Sequence, residues 1–182
     1  MRFDPITVQD KLDRDVVIRS AEVADAEDLI RYLKVTAGET PYLMRDPEEI
    51  NMTLENEIEF IQSKIDDERE ILLVATVNGK HVGNCALVSF GDYKRYAHRC
   101  VVAIALYEEY TGCGIGRMLL ESVLSVAQGA GYEQAELDVM AGNDNAIALY
   151  EKMGFVQYGR FPDNMKYADG TYRDAYWMMK KL

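Results

Sequence analysis

Apolar positions along this chain recur with two periods, and the changes between them divide it into elements. Residues 16–18 form a short β-branched run. Ala26, Leu29, Ile30 and Leu33 then recur at helical spacing within residues 24–37. Pro41 and Pro47 interrupt the pattern, after which Leu54, Ile58, Ile61 and Ile65 mark a second helix whose opposite face is acidic. Residues 71–77 and 81–90 are apolar runs joined through Asn78-Gly79, a pair that supplies the positive φ values of a type I′ hairpin turn. His81, just past the turn, is expected to be exposed. An apolar strand over residues 99–106 leads through a glycine turn into a helix over residues 115–127, stopped near Gly129 and Gly131. A strand over 134–139, a short helix over 143–152 ended by Gly154, and a strand over 155–161 follow. A last hairpin turns at Asp169-Gly170 and leaves over residues 172–179. The order β-α-α-β-β-β-α-β-α-β-β predicts an α/β (mixed α+β) fold. No repeat or linker divides it, so residues 1–182 are expected to form a single domain, with about 1–14 as an N-terminal extension.

The glycine turn is where the pattern acquires chemistry. In Thr111-Gly112-Cys113-Gly114-Ile115-Gly116, alternate glycines leave no Cβ in the way of a ligand approaching the main chain. The first N–H groups of the following helix have no internal partner and sit at its positive end, where phosphate is favoured. Arg117 can add a charge-assisted contact. A Walker A loop is excluded, because Arg117 and Met118 stand where Lys and Ser or Thr are required. A dinucleotide fingerprint fits poorly, because the third glycine arrives one position early. A glycine-rich helix entry without a ligand stays open on these residues alone.

Charge narrows the partners. Thirty-one acidic against 20 basic residues give a net charge of −11, which argues against nucleic acid and against anionic membrane. It favours a cationic or amine substrate. No apolar run approaches the length of a membrane span, and residues 1–14 lack the core of a secretion signal, so no membrane association is expected. Cys85, Cys100 and Cys113 are isolated, and with two histidines they make no metal-binding pattern, which suits a reducing, cytoplasmic setting. Cys113 has no histidine near it in sequence to serve a nucleophile.

The glycine turn resembles the acetyl-CoA-binding motif of the GCN5-related N-acetyltransferases (GNAT family), [Q/R]-x-x-G-x-[G/A] after a strand, with Thr111 in place of the usual Gln or Arg. A second block, from Leu137 through Asn143, Ala146 and Tyr150-Glu151-Lys152 to Gly154-Phe155, resembles the family's N-x-x-A-x-x-x-Y-E-K-x-G-F segment. The resemblance runs from about residue 16 to the C-terminus. It implies the acyl-CoA N-acyltransferase fold, a twisted, mostly antiparallel mixed sheet flanked by helices and splayed where the cofactor enters. It also implies an N-acetyltransferase that uses acetyl-CoA as cosubstrate, without a metal, and transfers directly to a primary amine in a ternary complex. A non-catalytic acyl-CoA-binding module is the alternative of a different class.

By position, the resemblance assigns the pantetheine arm to the main chain of Ile104, Ala105 and Leu106, and the pyrophosphate to Gly112, Cys113, Gly114, Ile115, Gly116 and Arg117. Asn143 matches the family's cofactor-contacting asparagine and also reads as a helix N-cap. Tyr150 matches the tyrosine that gives a proton or hydrogen bond to the coenzyme A sulfur. Asp138 stands where the ribosomal-protein N-terminal acetyltransferases of the family carry a glutamate base. Alternation puts it on one face with Glu136 and Met140, where it serves as base or as a solvated carboxylate. No acidic residue lies in 100–106, and His98 and His81 are weaker base candidates. Residues 107–109 can line the acceptor entrance. The acceptor pocket is expected from about residues 33–65 and 161–177. A small-molecule amine is preferred as partner, with a protein N-terminus as runner-up. A homodimer is possible, with residues 172–179 as the candidate contact.

Overall fold

A computed structural model describes residues 1–91 and 93–182. Its frame is an eight-stranded sheet in the order β1-β2-β3-β4-β5-β6-β8-β7. The strands are β1 (Ile6–Gln9), β2 (Asp15–Ser20), β3 (Ile71–Val77), β4 (Lys80–Ser89), β5 (Arg99–Leu106), β6 (Gln134–Met140), β7 (Val156–Lys166) and β8 (Tyr172–Lys181). Every neighbouring pair is antiparallel except β5 and β6. The mixed, mostly antiparallel sheet that the resemblance implies is therefore present.

Helices cover both faces. Helices α1 (Ala26–Glu39) and α2 (Leu54–Asp66) bring Leu29, Tyr32 and Ile61 down on Leu72 and Val74. On the other face α3 (Ile115–Gly129) packs Leu119, Leu120 and Val123 against Ile71, Leu73 and Ala75, and α4 (Asp144–Lys152) adds Tyr150. This explains why β3 is apolar at nearly every position: alternate residues enter opposite cores, and all seven are buried. Helix α2 starts where the Thr53 hydroxyl accepts from the Asn56 N–H at 3.2 Å.

Three expectations change. Residues 6–9 are an edge strand paired with β2, although the sequence reads as an extension without an element. Ile6 and Val8 do alternate with Thr7 and Gln9, but over four residues, the shortest run that reads as a strand, and their side chains are mostly exposed. His81 is buried rather than exposed, because Tyr32 of α1 lies edge-on against its ring at 4.9 Å. The acidic face of α2 is also incomplete, since Glu57 turns into the interior. The Asn78-Gly79 turn is as expected, with φ of 51° and 75°.

Candidate active site

The parallel pairing of β5 with β6 lasts from Arg99 opposite Gln134 to Val101 opposite Glu136 and goes no further. Beyond it β5 stays paired on its other edge, with Cys85 opposite Ile104, Asn84 opposite Ala105 and Gly83 opposite Leu106. The edge of residues 104–106 that faces β6 therefore keeps main-chain donors and acceptors free inside a widening gap. An extended chain can add there as a strand would.

The glycine turn closes the far end of β5. Gly112 has φ of 71°, and a Cβ placed on it would meet nothing within 4 Å, so the turn opens outward at that point. Gly114, with φ of 95°, is the N-cap of α3, followed by Ile115, whose side chain is fully buried. Gly116 serves packing: a Cβ there would stand 3.3 Å from Leu106 Cδ1 and 3.5 Å from Leu149 Cδ2. The turn thus presents N–H groups to solvent while its other side is fixed to the gap by Ile104, Leu106 and Leu149. Arg117 Nε donates to Glu121 Oε1 at 2.8 Å along the helix surface. It also lines an open groove of about 460 Å³ bordered by Lys152, Lys180 and Lys181, which shares only Arg117 with the turn. Cys113 is half-buried, and its thiol faces the Thr111 carbonyl at 3.4 Å.

Tyr150 and Asp138 flank the gap from opposite faces of the sheet. Tyr150 belongs to the α3 side, buried with its ring 6.0 Å from that of Phe155. Burial pushes its phenol pKa up, and the nearby Asp138 carboxylate adds to the effect. Alternation along β6 sends Leu137 and Val139 into the α3-side core and leaves Asp138 exposed on the opposite face. On that face Glu136 is held by Arg99, whose Nη2 donates to Oε2 at 2.7 Å, so Glu136 is committed to an ion pair below its usual carboxylate pKa. The Glu136 pKa reflects this pair and the Gln134 hydrogen bond overcoming burial. Asn143 occupies the N-cap position of α4, but its side chain makes no capping hydrogen bond. The other base candidates lie elsewhere. His98 precedes the start of β5, at the end opposite the glycine turn. His81 packs between Tyr32 and Tyr107 with its pKa pushed down by burial.

The mouth of the gap on the Asp138 side is bridged by contacts absent from any sequence pattern. The Tyr42 hydroxyl donates to Gly142 O at 2.7 Å, and the Tyr167 hydroxyl donates to Pro41 O at 2.8 Å. Arg173 lies over both rings, at 5.0 and 5.3 Å. The segment between α1 and α2 is thereby tied to the β6–α4 turn and to the β7–β8 hairpin. Strand β8 lies inside the sheet between β6 and β7, so of residues 172–179 the large side chains left exposed are Tyr172 and Trp177. Among the described residues no group of three or more His, Cys, Asp or Glu side chains is disposed to hold a metal ion, and no helix is long and apolar enough to cross a membrane.

Comparison with known proteins agrees with this geometry. Residues 34–155 match the model of the acetyltransferase (GNAT) family. An N-alpha-acetyltransferase of Saccharolobus solfataricus is 30% identical over 93% of this chain and 95% of its own length. A GNAT-family acetyltransferase of Streptococcus pneumoniae superposes with a TM-score of 0.87 at 30% identity, covering 92% of this chain and 99% of its own. A ribosomal-protein-alanine N-acetyltransferase of Brucella melitensis gives a TM-score of 0.80 at 25% identity, covering 91% of this chain and 99% of its own.

Proposed function

This chain belongs to the acetyltransferase (GNAT) family, and from that premise we propose that it transfers the acetyl group of acetyl-CoA directly to a primary amine. The observation that carries the reading is the gap between β5 and β6, with a glycine-lined helix N-terminus at one end and Tyr150 at its side.

Acetyl-CoA supplies an activated thioester carbonyl. The protein holds the donor, with the free main chain of Ile104, Ala105 and Leu106 pairing with the pantetheine arm and the N–H groups of residues 112–117 receiving the pyrophosphate. The Asn143 amide, free of any capping bond, is available to the donor as well. Main-chain N–H groups on the β5 edge stabilise the carbonyl oxygen as charge builds on it. Asp138, directly or through a water, takes the proton the amine must lose as its lone pair forms the new C–N bond. As the C–S bond breaks, Tyr150 gives a proton to the departing thiolate. Its phenol, protonated at neutral pH even unperturbed, has its pKa pushed further up by burial. Acid and base stand on opposite faces of the sheet, which suits a donor entering from one side and an acceptor from the other.

The acceptor is proposed to be a small amine. The bonds of Tyr42 to Gly142 and of Tyr167 to Pro41 narrow the approach on the Asp138 side, and the acidity of the chain favours a cation. A protein N-terminus is the second reading, supported by the activity named for the Saccharolobus solfataricus relative. A cytoplasmic setting is proposed from the isolated placement of Cys85, Cys100 and Cys113 along the sequence, and a homodimer contact around Tyr172 and Trp177. Release of free thiol from acetyl-CoA, followed across a panel of small amines and short peptides, tests the reading. Turnover with small amines supports it, and turnover restricted to peptides selects the N-terminal acceptor. No turnover with any amine overturns transfer.

A further inference from the structure

We propose that Lys11, on the segment joining β1 to β2, is a ligand of the donor's pyrophosphate, so that the cradle has a cation supplied from outside its own motif. The inference rests on the acetyl-CoA reading above and goes beyond it, since Lys11 lies outside residues 34–155 matched by the family model.

The segment is built to hold this position. Asp10 is buried, and its carboxylate accepts from the Leu12 N–H at 2.9 Å, the Arg14 N–H at 3.0 Å and Arg14 Nε at 2.8 Å, folding residues 10–14 into a tight turn. Asp13 completes the turn with φ of 57°. The turn projects Lys11 onto the glycine loop. Its N–H donates to Cys113 O at 2.9 Å, and its ammonium donates to Gly112 O at 3.1 Å. The lysine stem runs past Gly114, where a Cβ would stand 3.7 Å from Lys11 Cγ.

Neighbouring charges are otherwise occupied. Arg14 is paired with Asp10 and lies over the Tyr110 ring, and Arg117 is paired with Glu121. Thr111 carries no charge. Lys11 enters no ion pair among the described residues, and its side chain is exposed. An ammonium has three N–H donors, so contact with Gly112 O leaves two for an anion. A chain of net charge −11 repels a polyanionic donor, and a single cation fixed beside the helix N-terminus offsets that repulsion where the phosphates sit.

The test measures acetyl-CoA dissociation constants by calorimetry at several salt concentrations for the wild type, Lys11→Met and Lys11→Arg. Lys11→Met keeps most of the stem, and the main-chain bond to Cys113 does not involve the side chain. Loss of one charge-assisted contact is expected to weaken binding about tenfold and to flatten the salt dependence. Lys11→Arg should stay within about threefold of wild type, and all three melting temperatures should agree. With acetyl-dephospho-CoA, which lacks the 3′-phosphate and keeps the pyrophosphate, the Lys11→Met loss should persist. Weakening below about threefold, no rescue by arginine, or a fall in melting temperature that accounts for the loss would overturn the proposal. A loss that vanishes with acetyl-dephospho-CoA would move the contact to the 3′-phosphate and overturn the pyrophosphate assignment. Failure of the wild type to bind acetyl-CoA would instead reject the underlying reading.

Discussion

Replacing Tyr150 by phenylalanine isolates one oxygen atom. The ring is 7% exposed and packs against Phe155, so phenylalanine preserves the buried surface and the stability change stays within about 1 kcal/mol. A positioned general acid contributes about 10²–10⁴ in rate, or roughly 3–5 kcal/mol at about 1.4 kcal/mol per decade. A thiolate is already a competent leaving group, so the lower end applies and kcat should fall about 100-fold. Acetyl-CoA affinity should be unchanged, since the hydroxyl meets the sulfur only as the bond breaks. The pH profile carries a second signature. Burial raises the phenol pKa, so Tyr150 remains protonated through pH 9 and imposes no alkaline loss of activity there. Stopped-flow and steady-state thiol release, with calorimetric binding of acetyl-CoA, give kcat and affinity separately. A kcat within about threefold of wild type, or a loss explained by weaker acetyl-CoA binding, would refute the acid role.

Asp138→Asn should lower kcat/KM for the amine about 100-fold; activity within threefold of wild type between pH 7 and 9 would return Asp138 to the status of a solvated carboxylate. Gly112→Ala places a methyl group in open space at a backbone angle that only glycine adopts freely, so about 1 kcal/mol of stability should be lost and the KM for acetyl-CoA should rise about tenfold. An unchanged KM in a folded variant would mean that the turn does not receive the donor. Glu57 is buried with Oε2 unpartnered among the described residues, and burial raises its pKa. The folded chain therefore binds this proton more tightly than the unfolded chain, so the group's contribution is retained below its unfolded pKa of about 4.3 and lost as pH rises through the folded value. Glu57→Gln should accordingly raise the melting temperature by about 2–4 °C at pH 7.5 and leave it unchanged near pH 3.5, whereas an equal gain at both values would contradict ionisation as the cause.

The parts legible in the sequence are those whose chemistry is local. Gly112, Gly114 and Gly116 act through main-chain geometry that neighbouring residues determine, and Tyr150 follows Asn143 along one short segment leading into and through α4. The β3–β4 hairpin was legible for the same reason, because Asn78-Gly79 encodes its own turn. What escaped depends on residues distant in sequence. Lys11 reaches Gly112 only because β1 pairs at the sheet edge, and the four-residue alternation of Ile6-Thr7-Val8-Gln9 does not name β2 as its partner. His81 follows a turn, which favours exposure until α1 lays Tyr32 over it. The resemblance brings residues 33–65 and 161–177 to one pocket, but no residue pattern names the bonds of Tyr42 to Gly142 and of Tyr167 to Pro41, which join positions 100 and 126 residues apart.

The most direct test of the central claim is a crystal structure with coenzyme A, which lacks the transferable acetyl group and therefore persists in the site. The account predicts the pantetheine arm paired with the main chain of Ile104–Leu106, the pyrophosphate on the N–H groups of residues 112–117, and the sulfur within hydrogen-bond reach of the Tyr150 hydroxyl. Coenzyme A bound in the groove of Lys152 and Lys180, or anywhere that leaves the β5–β6 gap empty, would contradict it.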